Sequence, residues 1–332
     1  MKRYIAIAAT LLAMFALNLT PGAAAEVTDD SVPAAQLPPG IVAQGPGVYS
    51  FNIGDVRVTA LSDGTVPQDL HKLLRDTTSD RTDALLRASF LVNPVEASIN
   101  EWFFKLGDRT VLVDTGSGDL FGPGYGGSLP QSLAAAGLRP EQITDILLTH
   151  VHDDHMGGLV HGGHLAFPNA TVHVGKPDID FFLDRSNAAS SHYDMKYFDE
   201  AIATLKPCVD AGKVQTFSGT TEIMPGVTAS LHPGHTPGSA FYTLESKGQK
   251  IVFVGDIVHV ASVQFPDPTI TIEYDVNTAQ AGAVRQQALF EFARDRTLIA
   301  IPHVPFPGIG HVRAVGTGFE WVPIDYGNRL TK

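Results

Sequence analysis

From Tyr49 onward, apolar residues recur with a period of two in short runs and with helical spacing in longer ones. Tyr49–Ile53 and Val56–Leu61 alternate on either side of Gly54-Asp55, which predicts a β-hairpin. Thr65 to Asn93 is more polar and partly helical, with Asp83–Phe90 the clearest helix. A second hairpin is predicted from Trp102–Leu106, the turn Gly107-Asp108 and Thr110–Asp114. Beyond it strands and helices alternate. Ser128–Ala136 reads as a helix stopped by Gly137, and Pro140 opens a shorter one before the buried strand Ile146–Thr149. Thr171–Val174 is a strand, followed by helices near Asp178–Leu183 and Tyr197–Leu205. Val227–Leu231, Ala240–Glu245 and Lys250–Val254 are strands, Asn277–Arg294 is the longest helix, and Leu298–Ile301 is a last apolar strand before His303. Hairpins leading into strand–helix alternation in both halves predict an α/β fold, an αββα sandwich of two mixed sheets with helices outside. There is no repeat of short fixed period.

The first residues follow a different pattern. Lys2 and Arg3 precede an apolar run, Tyr4–Leu17, and Ala23-Ala24-Ala25 supplies small residues for cleavage, so residues 1–25 read as a signal peptide. The run is shorter than the ~20 residues a bilayer demands, which argues against a membrane anchor. Export to the periplasm or the medium is the expectation. Residues 26–47, rich in Pro, Ala and Gly, read as a flexible N-terminus, and 48–332 as the folded domain. With 332 residues and 44% apolar content the chain can bury one large core. Without Lys2 and Arg3, 21 basic face 35 acidic residues, a surface that repels phosphate backbones and excludes nucleic acid as a partner. A homodimer stays open. The single cysteine, Cys208, rules out an internal disulfide and a thiolate-rich zinc site, and reads as a small buried residue.

Chemistry concentrates in Thr149-His150-Val151-His152-Asp153-Asp154-His155. His150 and His152 are two apart, so an extended backbone points both rings to one side. Asp154 and His155 follow where the chain turns into a helix, and Gly157-Gly158 lets that helix start pack closely. Four nitrogen or oxygen ligands in six residues can serve two cations rather than one, and more ligands are then needed further on. His235 in Pro233-Gly234-His235-Thr236-Pro237-Gly238, Asp256 after Gly255, and His303 meet that need. Each stands at the C-terminal end of a predicted strand, where loops gather around a site.

His150, His152, Asp154, His155, His235, Asp256 and His303 match the HxHxDH–His–Asp–His pattern of the metallo-β-lactamase superfamily, and Asp114 in Asp114-Thr115-Gly116 matches its early aspartate. The resemblance runs from about Val48 to the C-terminus. It is nearest to the secreted subgroup of methyl parathion hydrolase and dihydrocoumarin hydrolase-like lactonases, through Ala60-Leu61-Ser62-Asp63-Gly64, Gln264-Phe265 and Phe306-Pro307-Gly308-Ile309-Gly310-His311. It implies that His150, His152 and His235 hold one metal, that Asp154, His155 and His303 hold another, and that Asp256 bridges them. Asp114 is then the residue that orients a ligand histidine. Imidazoles and carboxylates suit zinc, manganese, iron or cobalt, zinc being the first expectation. Two such ions can share a hydroxide, lowering the pKa of water from about 15.7 toward ~7, and polarise a carbonyl or phosphoryl oxygen. Asp154, Asp256 and Asp114 are the catalytic carboxylates of that reading.

The resemblance also suggests a substrate pocket of Phe121, Phe182, Phe198, His259, Ile272 and Tyr274, fitted to a small hydrophobic ester or lactone. His259 departs from the aliphatic residue expected in organophosphate specialists, which favours lactones and aryl esters with phosphotriesters as a side activity. A dedicated organophosphate hydrolase is the alternative. No Gly-x-Ser-x-Gly elbow and no cysteine motif is present, so no covalent intermediate is expected. A β-lactamase is disfavoured because Asp256 stands where many such enzymes use cysteine. Charge disfavours a nuclease, and a non-enzymatic metal binder would lack a ligand. His71, His161, His164, His173, His192, His232 and His311 are read as structural or surface histidines.

Overall fold

The computed structural model describes residues 44–191 and 193–328, all within one unit that spans Leu37–Lys332. The expected signal peptide and His192 lie outside the described residues, as does the predicted N-terminal segment up to residue 43. Among the described residues no helix is long and apolar enough to cross a membrane.

Two seven-stranded sheets form the centre, and in each the strands lie in chain order. The first holds β1 (Val48–Ile53), β2 (Val56–Gln68), β3 (Val95–Leu106), β4 (Arg109–Val113), β5 (Asp145–Leu147), β6 (Thr171–Gly175) and β7 (Val214–Phe217). Its first four strands pair antiparallel with their neighbours, and β4 to β7 run parallel, joined through helices. The second holds β8 (Thr220–Met224), β9 (Val227–Leu231), β10 (Ala240–Ser246), β11 (Gln249–Phe253), β12 (Leu298–Ala300), β13 (Ile309–Val315) and β14 (Gly318–Pro323). Here only β11 and β12 are parallel, with the helix Thr278–Asp295 between them in sequence.

Side-chain alternation explains the layers. On β3, Trp102 and Phe104 point into one apolar cluster and Phe103 into another. The first cluster lies between the sheets, uniting Val58, Val111, Val113 and Leu147 with Tyr242, Leu244, Ile251 and Phe253. The second joins Leu112, Ile146 and Val172 to the helices Leu129–Ala135, Lys176–Phe182 and Met195–Thr204. A third packs Val252 and Ile299 against Ala288, Leu289 and Phe292, the inner stripe of Thr278–Asp295. The predicted αββα sandwich is the observed fold.

Several boundaries differ from the sequence reading. The first hairpin's second strand runs on to Gln68, where Thr65–Asn93 had read as polar and partly helical, because Thr65 and Val66 continue to pair with β3 beyond an irregularity between Ser62 and Gly64. Helices then occupy Leu70–Leu73 and Ser79–Ala88. Strands β7, β8, β13 and β14 were not predicted.

The glycine pair after the metal motif is packed as the sequence suggests, against the loop that follows β4. A β-carbon on Gly158 would stand 2.0 Å from the backbone oxygen of Thr115. Gly158→Ala is therefore expected to lower stability by about 1–3 kcal/mol, the usual cost of overpacking. Denaturant unfolding at unchanged m value checks this; a loss within about 0.5 kcal/mol, as for an ordinary surface change, would show the contact is soft.

Candidate metal centre

Loops at the C-terminal ends of β4, β5, β9, β11 and β12 bring Asp114, the His150–His155 motif, His235, Asp256 and His303 together. All seven expected ligands meet in two groups, with His150, His152, His235 and Asp256 in one and Asp154, His155 and His303 in the other. In the first group His150 Nε2 lies 3.1 Å from His152 Nδ1 and 3.2 Å from His235 Nε2, and Asp256 Oδ2 is 3.4 Å from His235 Nε2. In the second, Asp154 Oδ1 is 3.4 Å from His155 Nε2, and Asp154 Oδ2 is 3.4 Å from His303 Nε2. Asp256 joins the groups, its Oδ1 3.2 Å from His155 Nε2 and its Oδ2 3.0 Å from His303 Nε2.

Such spacings test whether a cation fits. Two nitrogens each about 2.0–2.1 Å from one tetrahedral zinc stand ~3.3 Å apart, close to the observed separations. Neighbouring side chains also decide which nitrogen of each ring is free. Thr149 Oγ1 gives its only proton to Asp114 Oδ2 at 2.8 Å, so it accepts from His150 Nδ1 at 3.1 Å. Tyr193 donates its hydroxyl proton to the Tyr274 carbonyl at 2.7 Å and accepts from His152 Nε2 at 2.8 Å. His155 Nδ1 donates to Asp114 Oδ2, His235 Nδ1 to Asp275 Oδ1 and His303 Nδ1 to the Ser98 carbonyl. In all five rings the nitrogen left with a lone pair is the one that faces the cluster, the arrangement that metal-ligating histidines adopt. His155 Nε2 and Asp256 Oδ1 are buried without hydrogen-bond partners, as open ligand atoms would be.

Electrostatics agree with a cation-binding centre. Burial holds His150 and His152 well below the usual histidine range, so both rings are neutral. Burial also opposes charge on His155, but Asp256, Asp154 and Asp114 outweigh it and hold that ring well above its ordinary value. His235 is likewise raised to about 9, against burial, by Asp256 and Asp275. Asp256 stays anionic well below the usual carboxylate range, because His155 and His303 foremost outweigh its burial. The carboxylates thus create a negative potential that a proton satisfies at His155 and His235 and that a metal would satisfy by displacing it.

The loops themselves are held from a distance. Asp178, in the first turn of Lys176–Phe182, accepts from Val151 N (3.0 Å), Thr236 Oγ1 (2.8 Å) and Gly238 N (2.5 Å), tying the two ligand loops together. Asn100 donates to the carbonyls of Pro302 and Val304, the residues flanking His303. Asp63 accepts from Ser117 N, Ser117 Oγ, Gly127 N and Leu129 N, fixing the segment that follows Asp114. Arg285, fully buried, lies 3.7 Å from Asp275 and supports it behind His235. None of Asp178, Tyr193, Asp275 and Asn100 stands out in sequence as a site residue. Asp63, however, sits in one of the family-like phrases.

A cavity of about 200 Å³ opens on the cluster, its lining including Asp154, Asp256 and His303 together with Phe121, Tyr197 and Tyr274. Val66, Pro67, Lys196 and His259 also line it. Phe121, His259 and Tyr274 are where the sequence places them. Phe182, Phe198 and Ile272 are not: each is fully buried and lines no described cavity. Phe182 and Phe198 are core residues beneath the helices, and Ile272 packs with Leu70 and Leu86. Of the remaining histidines, His173 pairs with Asp145 and His311 donates to the Thr297 carbonyl, both structural roles as expected.

A profile described as "Metallo-beta-lactamase superfamily" matches residues 96–303. Among solved structures, "hydrolase AbOPH in beta lactamase superfamily" superposes with a TM-score of 0.81 at 34% identity, covering 86% of this chain and 100% of that one. AidC, "a Dizinc Quorum-Quenching Lactonase" in complex with its product, gives 0.77 at 26% identity, covering 85% and 99%. The N-acyl homoserine lactonase of Bacillus cereus is 24% identical over 153 residues, 46% of this chain and 53% of that protein. Matches to curated relatives span 34–60% of those proteins' lengths.

Proposed function

The chain belongs to the metallo-beta-lactamase superfamily, and from that premise we propose that it is a dinuclear metal-dependent hydrolase of lactones and aryl esters, with slower turnover of phosphotriesters. The observation that carries this is the set of five histidines, each held in the one tautomer that turns a lone pair toward the cluster. His150, His152 and His235 would hold one ion, Asp154, His155 and His303 the other, and Asp256 both. When bound, two divalent cations supply Lewis acidity and lower the pKa of a shared water toward ~7. Zinc is the ion this donor set and the dizinc neighbour favour, with manganese, iron and cobalt as chemical alternatives.

The protein's own groups then decide what enters. Tyr197 and Tyr274 line the cavity, and burial raises both phenols, so they remain protonated and can donate to a carbonyl oxygen. Phe121, Val66 and Pro67 give the apolar wall for an alkyl or aryl group. A carbonyl centre becomes a compact tetrahedron, whereas a phosphotriester brings three substituents into the same small space. Both the AidC complex and the wall residues support the lactone reading.

The test is metal analysis of protein purified without chelator, followed by kcat/KM for dihydrocoumarin, an aryl acetate, methyl parathion and nitrocefin. About two metal equivalents and preference for the lactone or aryl ester are expected. Preference for methyl parathion would establish the phosphotriesterase alternative. A fully loaded protein inert to all four would end the proposal.

A further inference from the structure

His259 has an environment unlike that of every other histidine in the centre. It is 3% exposed, yet neither ring nitrogen makes a hydrogen bond. Buried polar atoms in folded proteins are nearly always paired, so such a ring is expected to have a partner. Its Nε2 lies 3.2 Å from Asp256 Oδ2, the same oxygen that His303 Nε2 approaches to 3.0 Å. Ligand atoms of Asp256, His259 and His303 lie within 4.8 Å of one another, a third group with metal-binding spacing.

The ring is also held in place. Its own backbone N donates to Gln264 Oε1 at 2.7 Å, and Gln264 in turn donates to the Ile270 carbonyl. On one side it stacks against His303, with centroids 5.3 Å apart and planes at 17°. His235 and Tyr274 stand at 5.1 and 5.8 Å. A buried histidine normally pairs its ring nitrogens. Here Nδ1 has no partner, and Nε2 has beside it only the Asp256 carboxylate of the cluster.

We propose that His259 is an eighth ligating side chain, adding its Nε2 beside Asp256 and His303 at the second cation. The proposal rests on the two-metal reading above. Because nothing accepts from its other nitrogen, its tautomer is unlocked, and it is a weaker ligand than the other five histidines. It also faces the cavity, so it contacts the place where a substrate oxygen would approach the same ion.

The experiment strips the full chain with chelator and titrates it with cobalt(II), following bound metal and the visible d–d absorption. Wild type should take up two equivalents. His259→Leu should take up the first as wild type does, bind the second about tenfold or more weakly, and show an altered d–d band from the lost nitrogen. His259→Gln keeps the side chain's polarity and guards against a packing defect; it should weaken the second equivalent in the same way. Unchanged affinity and spectrum in either folded variant would overturn the ligand assignment while leaving the two-metal reading intact. Uptake of one equivalent or less by wild type would overturn both.

Discussion

Asp256→Ala is expected to lose metal from both halves of the centre and to lower kcat/KM by about three orders of magnitude or more. The reason is its double engagement. Its Oδ2 faces His235 and His303 and its Oδ1 faces His155, so its one carboxylate reaches donor atoms of both groups. On the two-metal reading, removing it would take one ligand from each cation, and it takes an anionic charge from a site buried to 6% exposure. Lewis-acid stabilisation by a metal supplies several kcal/mol, and each 1.36 kcal/mol is tenfold in rate. Asp154→Ala makes the useful contrast, because the Asp154 carboxylate approaches His155 and His303, both in the same group. It should retain about one equivalent where Asp256→Ala retains less. Metal content and steady-state kinetics on the two variants decide the matter. Two tightly held equivalents in Asp256→Ala would show that the wrong carboxylate has been placed between the ions.

The parts of this centre that sequence reveals are the parts that are local. His150, His152, Asp154 and His155 lie within six residues, and His235, Asp256 and His303 follow strands recognisable by their apolar runs. The residues that orient them are not local. Asp178 reaches Val151 across 27 positions and Gly238 across 60, Asp275 reaches His235 across 40, and Asn100 reaches Pro302 across 202. No spacing rule marks such residues, because the sheet topology creates the contact. The same limit explains the missed strands. β13, Ile309–Val315, carries Gly310, His311 and Arg313 and is partly exposed, so neither alternation nor a continuous apolar run shows. Phe182 and Phe198 misled in the opposite way. An aromatic near a ligand loop looks like pocket wall, but both sit on the inward faces of their helices, with their rings 5.5 Å apart in the core.

Asp178 allows the strongest test of that non-local layer, because it can be removed without removing any ligand. Its carboxylate receives two backbone N–H groups and one hydroxyl, from both sides of the cluster. Asp178→Ala would leave the N–H groups of Val151 and Gly238 unpaired in the interior, at about 1–3 kcal/mol each. Thermal unfolding should show that loss. The milder Asp178→Asn keeps one acceptor oxygen but turns an amide N–H₂ toward one of the donors. It should fold, and it should bind the ion at His150, His152 and His235 about 10–100-fold more weakly, the usual consequence of disturbing a ligand's support. Saturating metal should then restore much of kcat. A pH signature separates this role from simple packing. Burial pushes the Asp178 carboxyl up from 3.8 to about 6, despite the three donors. A carboxyl raised in the folded state contributes stability that is full below its unfolded pKa and is lost as pH rises through its folded pKa. The stability advantage of chelated wild type over chelated Asp178→Asn should therefore be largest below about pH 4 and shrink as pH rises through about 6. Metal affinity equal to wild type in Asp178→Asn would show that the two ligand loops hold their shape without it.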